Sequence, residues 1–173
     1  ISGANTFYNL TINNGHAIQK VDASGSTSLA VANLLRVQDG IFKSKSDYTH
    51  VQIANGATLE LSGNITVSGN FSNSGAFTHN NKKVTFDGGS GNQNLNSGGS
   101  SFYDLVFSGS GSLVLTSALT VTHSFINSSG FFNLNGQSWT MTGATFSNDG
   151  TVQLQGGEAI AGLTQDTDSG SWA

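Results

Sequence analysis

The 173-residue sequence has no cysteine, no proline, a single methionine and very little charge. Without cysteine there are no disulfides, no thiolate nucleophiles and no thiolate metal ligands, and the redox compartment stays open. Without proline, no residue is barred on that account from a hydrogen-bonded ladder. Charged residues make up 9% of the chain, against about 25% in an ordinary globular protein. The net charge of −4 and pI near 5.3 argue against nucleic acid or an anionic membrane as partner. No apolar run reaches the roughly 18 residues of a membrane span. The start carries neither an initiator methionine nor a basic, apolar-cored signal segment, so the chain reads as a mature or excised piece.

What is present is Ser, Thr, Asn and Gly, with 11 phenylalanines spread along the chain. Disorder goes with high net charge and few aromatics, so this composition reads as one folded domain with a real core. The few charges are uneven. All six basic residues (Lys20, Arg36, Lys43, Lys45, Lys82, Lys83) precede residue 84; against Asp22, Asp39, Asp47 and Glu60 they leave residues 1–83 at +2. Residues 84–173 carry Asp87, Asp104, Asp149, Glu158, Asp166 and Asp168 and stand at −6. Ends of opposite sign favour head-to-tail contact.

Internal repetition organises the chain. FYNLTI at 7–12 matches FYDLVF at 102–107, an offset of 95. Leu29, Val31, Leu35 and Val51 match Leu119, Val121, Phe125 and Met141 at an offset of 90, as though an insertion lay near DASGS at 22–26. One long unit thus occurs about twice, over about 1–95 and 96–173. A shorter period runs inside it. Ile65 and Val67 recur as Val84 and Phe86, Leu119 and Val121 as Trp139 and Met141, and Phe125 and Phe131 as Phe146 and Val152, at offsets of 19, 20 and 21 in turn.

Each apolar group is a short alternation such as LVL, LTV, WTM or VTF, the mark of a strand buried on one face. Asn-Gly turn dipeptides occur at 14–15, 55–56 and 135–136. A corner phrase returns as FSNSG, FINSSG and FSNDG. In it Phe71, Phe125 and Phe146, with Phe77 and Phe131 close behind, are expected to form a core ladder. Asn73, Asn127 and Asn148 are expected to take the left-handed backbone of a corner that Gly75, Gly130 and Gly150 complete, with Asn amides bonding between coils. Hairpins in a β-sandwich would explain the alternation but not so short a period with matching corners. The predicted fold is all-β: a parallel β-helix, or β-solenoid, of about eight coils, right-handed by the rule for parallel connections. Only SLAVANLLRVQ at 28–38 has a helical rival, and its match to ALTVTHSFINS favours strand.

Phrases such as NTFYNLTI, LTVTHSF, NITVSGNFSNSGAF and KVTFDGGSGNQNL together resemble the repeats of bacterial surface proteins with β-helix stalks: autotransporter passengers and filamentous-haemagglutinin-like adhesins. The resemblance spans nearly the whole chain. It implies an extracellular or cell-surface location and a structural or adhesive role, and brings no catalytic residues with it. In the interior, KVTFDGGSGNQNLNSGGSSFYDL runs as one passage. ISGANTFYNL at the start is its second half, and the end resembles its first. The expectation is a segment of a longer array, or a subunit continued by the next. The candidate self-association ends are Ile1, Phe7 and Tyr8 on one side and Asp166, Asp168 and Trp172 on the other, with copies of the chain or adjoining repeats as partner.

Chemistry finds little footing. The ten carboxylates are scattered, and Asp104 stands where the other unit has Asn9. His16, His50, His79 and His123 lack metal-ligand spacing. DGGSGNQNLNSGGS lacks the Lys-Ser/Thr of a phosphate loop, and DTDSG at 166–170 is too short for a calcium loop. No cofactor or metal is expected. Tyr8 and Tyr103, at matched positions, are the candidate surface-binding aromatics, with surface glycans as ligand. The order of expectation is a non-catalytic stalk or filament subunit, then a glycan-binding adhesin module, then a polysaccharide-cleaving enzyme.

Overall fold

The computed structural model describes residues 4–15, 20–25, 28–164 and 166–173. Every strand pair among them is parallel, no helix is present, and the strands stack as a β-solenoid of about eight turns. Each coil runs along three faces. On the first, Val31, Tyr48, Val67, Phe86 and Phe107 lie above one another in successive coils. On the second the column is Leu35, Val51, Phe71, Leu95 and Leu115. On the third it is Val21, Phe42, Leu59 and Phe77. The third face is interrupted by the turn at Gly98 and Gly99, both left-handed, and resumes as Leu119, Trp139 and Ile160. Inside the break the rings of Phe77 and Phe102 lie 5.1 Å apart, so the core stays continuous.

The coil length follows from the pairings. Ile65, Val84, Leu105, Phe125 and Phe146 stack at successive offsets of 19, 21, 20 and 21. The first coil is longer: Leu10 pairs with Leu35, an offset of 25. The second is shorter, with Leu35 opposite Val51. The long repeat is therefore out of phase with the coil. Leu35 lies in the second-face column and its sequence match Phe125 in the first-face column.

The segment with a helical rival is the strand Ser28–Asp39. Its Leu29 and Val31 point inward on the first face, and Leu35 and Val37 on the second. A bulge between Val31 and Leu34 turns the chain from one face to the next. The alternation keeps its parity across the bulge, with polar Asn33 between. Val31 and Leu35 thus fall four apart and, with partly buried Leu34 beside them, imitate a helical stripe.

Of the expected core ladder, Phe71, Phe77, Phe125 and Phe146 are buried, with Phe125 and Phe146 stacked at 6.0 Å. Phe131 is not: it is 43% exposed, and its neighbour Phe132 fills the core. Phe132 lies between Leu113 and Val152, whereas Phe131 lies between Ser112 and Thr151. Strand alternation admits only one of two adjacent phenylalanines, and the apolar neighbours above and below select Phe132.

The corner residues also differ from expectation. Asn73, Asn127 and Asn148 end strands, are buried, and are not left-handed; the left-handed asparagines are Asn80, Asn81 and Asn135. Nor do the three phrases share a corner, since Phe71 belongs to the second face and Phe125 and Phe146 to the first. Their amides turn inward and join coils. Asn127 Nδ2 donates to Asn148 Oδ1 at 2.7 Å, and Asn73 Nδ2 donates to the Ser97 carbonyl at 2.8 Å. A buried amide needs such partners.

The glycines explain how the corners stack. Gly91, Gly111, Gly130 and Gly150 lie above one another between the first and second faces. The N–H following each of the last three reaches the carbonyl of the glycine below: Ser112 to Gly91 at 3.2 Å, Phe131 to Gly111 and Thr151 to Gly130 at 2.9 Å. A Cβ on Gly150 would sit 2.6 Å from the Gly130 carbonyl oxygen. Gly111, Gly130 and Gly150 are glycine because the coils touch there, whereas a Cβ on Gly91, at the foot of the column, would have room.

Where the ladder breaks elsewhere, side chains supply the missing acceptor. Asp47 Oδ1 takes the Thr66 N–H at 2.8 Å, and Asn64 Oδ1 takes that of Lys83 at 3.0 Å. His50 Nδ1 takes that of Asn70, and Asn70 Oδ1 that of Asn94, both at 2.9 Å.

Candidate functional site

Three places on this frame bear on function: the two poles, the aromatic positions, and one groove. At one pole the strand Ala4–Asn13 pairs only with Ser28–Asp39, leaving its outer edge without a strand among the described residues. Phe7 and Leu10 there are partly buried against the core, and Tyr8 is 71% exposed. Ile1, expected at this end, lies outside the described residues, as does His16. At the other pole Trp172 is the top of the column above Val152. Its ring lies 5.9 Å from that of Phe146 and is 42% exposed.

Asp166 and Asp168, also expected at this end, bond within their own chain. Asp166 Oδ1 accepts the Asp168 N–H at 3.1 Å, and Asp168 Oδ2 accepts the Ser147 hydroxyl at 2.5 Å. They fasten the last coil to the one below it.

The two matched tyrosines have different surroundings. Tyr8 projects into solvent. Tyr103 lies between two imidazoles, parallel to His123 at 4.3 Å and tilted against His79 at 5.7 Å. His123 Nδ1 is 2.6 Å from Asp104 Oδ1. In the other unit the same positions hold Asn33 and Asn9, whose side chains bond at 2.9 Å. A polar pair bridging two coils is thus common to both, and only one version is ionisable. Burial lowers the pKa of His79, whose Nδ1 accepts the Asn81 N–H at 3.0 Å. Sequence reading misses this His-Tyr-His stack. Its signal lies in the successive offsets of 24 and 20 between His79, Tyr103 and His123, each close to one coil.

The groove, about 420 Å³, opens on the first face where the second coil is short. Strand Tyr48–Ile53 begins opposite Val31, so residues 28–30 have no strand beside them on that side. Leu29, Val31 and Tyr48 line its floor, with Asp47, Thr66 and Asp87 around it. Burial pushes the Tyr48 phenol up to about 12, against the opposing hydrogen bond of Ser44. Among the described residues, no group of three or more His, Cys, Asp or Glu side chains could hold a metal ion.

The architecture makes this a parallel β-solenoid protein. Comparison with known proteins takes it no further: no family model, no curated protein and no solved structure matches the chain.

Proposed function

We propose that the chain is a non-catalytic structural protein of the cell exterior, a stalk or filament segment whose coils are continued, end to end, by neighbouring copies or adjoining repeats. The observation that carries this reading is the core. One apolar interior runs through every coil and reaches the poles still apolar, at Phe7 and Leu10 on one side and the half-exposed Trp172 on the other. Open strand edges and uncovered core side chains are what a further coil would bury. The charge difference between the halves favours head-to-tail over head-to-head contact. The bacterial surface setting rests on the resemblance of the repeats alone.

A second reading, glycan binding, has one observation in its favour: the exposure of Tyr8, since sugars stack on free aromatic faces. Tyr103 speaks against a matched pair of such sites, because His123 covers one of its faces.

Negative-stain electron microscopy across a dilution series tests the first reading. Narrow fibres that lengthen with concentration are the expected result. Single short rods at every concentration would remove axial assembly of this chain from the proposal. Saturable retention on a glycan column, lost in Tyr8→Ala, would favour the second reading.

A further inference from the structure

We propose that Asn55 is a site of spontaneous covalent modification, deamidation through a succinimide, and that the fold withholds the same chemistry from Asn135. These two Asn-Gly dipeptides occupy the same corner, between the second and third faces, four coils apart. In an Asn-Gly pair the glycine nitrogen attacks the asparagine side-chain carbonyl carbon. A carbon–nitrogen bond forms, ammonia leaves, and a five-membered imide remains. Water opening the ring at the side-chain carbonyl gives aspartate, and at the backbone carbonyl gives isoaspartate, whose peptide bond then runs through the side chain. One water is consumed and one ammonia released, with no oxidant, reductant or enzyme. The step requires that the side-chain amide swing over the backbone and that the glycine N–H be free to lose its proton.

At Asn55 no hydrogen bond among the described residues restrains either group. Residues 54–57 form a turn closed by the Ala57 N–H on the Ala54 carbonyl at 3.0 Å, with Gly56 left-handed at φ +82°. Asn55 and Gly56 are both exposed. Among the described residues, neither the Asn55 amide nor the Gly56 N–H has a hydrogen-bond partner. Beyond its two chain neighbours, no atom lies within 4 Å of where a Gly56 Cβ would be.

At Asn135 each reacting group is held. Its Nδ2 donates to the Leu115 carbonyl one coil below at 3.0 Å, and its Oδ1 accepts from Gln155 Nε2 one coil above at 3.1 Å. The Gly136 N–H donates to Glu158 Oε1 at 3.1 Å. The Gln155 N–H, also on Glu158 Oε1 at 2.7 Å, holds that carboxyl below its ordinary range, so it remains an acceptor at neutral pH. Reaction at Asn135 has to break these bonds first; at Asn55 there are none to break.

The test is incubation of the intact folded chain in mildly alkaline buffer at physiological temperature, with a parallel sample in concentrated urea. Peptide mapping by electron-transfer mass spectrometry separates asparagine, aspartate and isoaspartate at each site. In the folded protein Asn55 is expected to convert at least about tenfold faster than Asn135, the least that releasing several hydrogen bonds would impose. In urea the two rates should converge, and in Glu158→Ala the folded rate at Asn135 should rise while that at Asn55 stays put. Equal rates in the folded chain would overturn the proposal. So would a difference that persists in urea, because sequence rather than fold would then be its source.

Discussion

Tyr48 joins burial to chemistry at a single residue. It is 3% exposed, and its hydroxyl meets the Ser44 hydroxyl at 2.6 Å, itself buried. Burial disfavours the phenolate, which is why the pKa rises from 10.0 to about 12. A group whose folded pKa lies above its unfolded one contributes stability that is complete below the unfolded value and lost as pH rises through the folded value. The loss should therefore fall between pH 10 and about 12, and a rise of that size corresponds to about 2–3 kcal/mol. Urea denaturation followed by tryptophan fluorescence at a series of alkaline pH values measures it. In Tyr48→Phe that decline should flatten, although the variant starts somewhat less stable because the Ser44 hydroxyl loses its partner. An unchanged alkaline slope would mean that the phenol reaches water before the coil opens.

At the scale of the element, the corner glycines make the sharpest prediction. Gly150→Ala places a methyl group 2.6 Å from the Gly130 carbonyl oxygen and 2.7 Å from Asn127 Nδ2. Both partners belong to the coil below and cannot yield without parting the stack, so a loss of about 1–3 kcal/mol is expected. Gly89→Ala, at a corner with nothing within 4 Å and no left-handed φ, should be neutral or gain about 0.4–1 kcal/mol by restricting the unfolded chain. The comparison is made by urea midpoints at constant slope. Equal effects would mean that the column does not hold the coils at their spacing.

These glycines also mark the limit of what is legible in sequence. Strands, period and parallel stacking are legible because alternation and coil length are written in the apolar residues themselves. Which of Phe131 and Phe132 turns inward is not, since that depends on Leu113 and Val152 in neighbouring coils. The corner asparagines suggest backbone formers because Asn tolerates left-handed φ, yet their amides serve as inter-coil donors. The glycine recurrence at 91, 111, 130 and 150 is visible, but an abundance of glycine in loops hides a column unless the coil register is known.

At the scale of the molecule, axial continuation makes a prediction that separates assembly from folding. Trp172 packs on Phe146 from one side only and leaves 42% of its surface uncovered. Removing it deprives the chain of few contacts but deprives a following coil of its apolar platform. Trp172→Ser should therefore shorten fibres several-fold at a given concentration, while lowering the melting temperature of the dispersed protein by only a few degrees, as about 1 kcal/mol would. Salt gives an independent handle. Attraction between a half carrying +2 and one carrying −6 is screened once the Debye length falls from about 10 Å at 0.1 M to about 3 Å at 1 M. The hydrophobic part of the contact is not. Fibres held mainly by charge should shorten on adding salt, and fibres held mainly by the Trp172 platform should persist. Fibres indifferent to both the substitution and salt would place the contact on the sides of the solenoid rather than at its poles, and axial stacking would have to be abandoned.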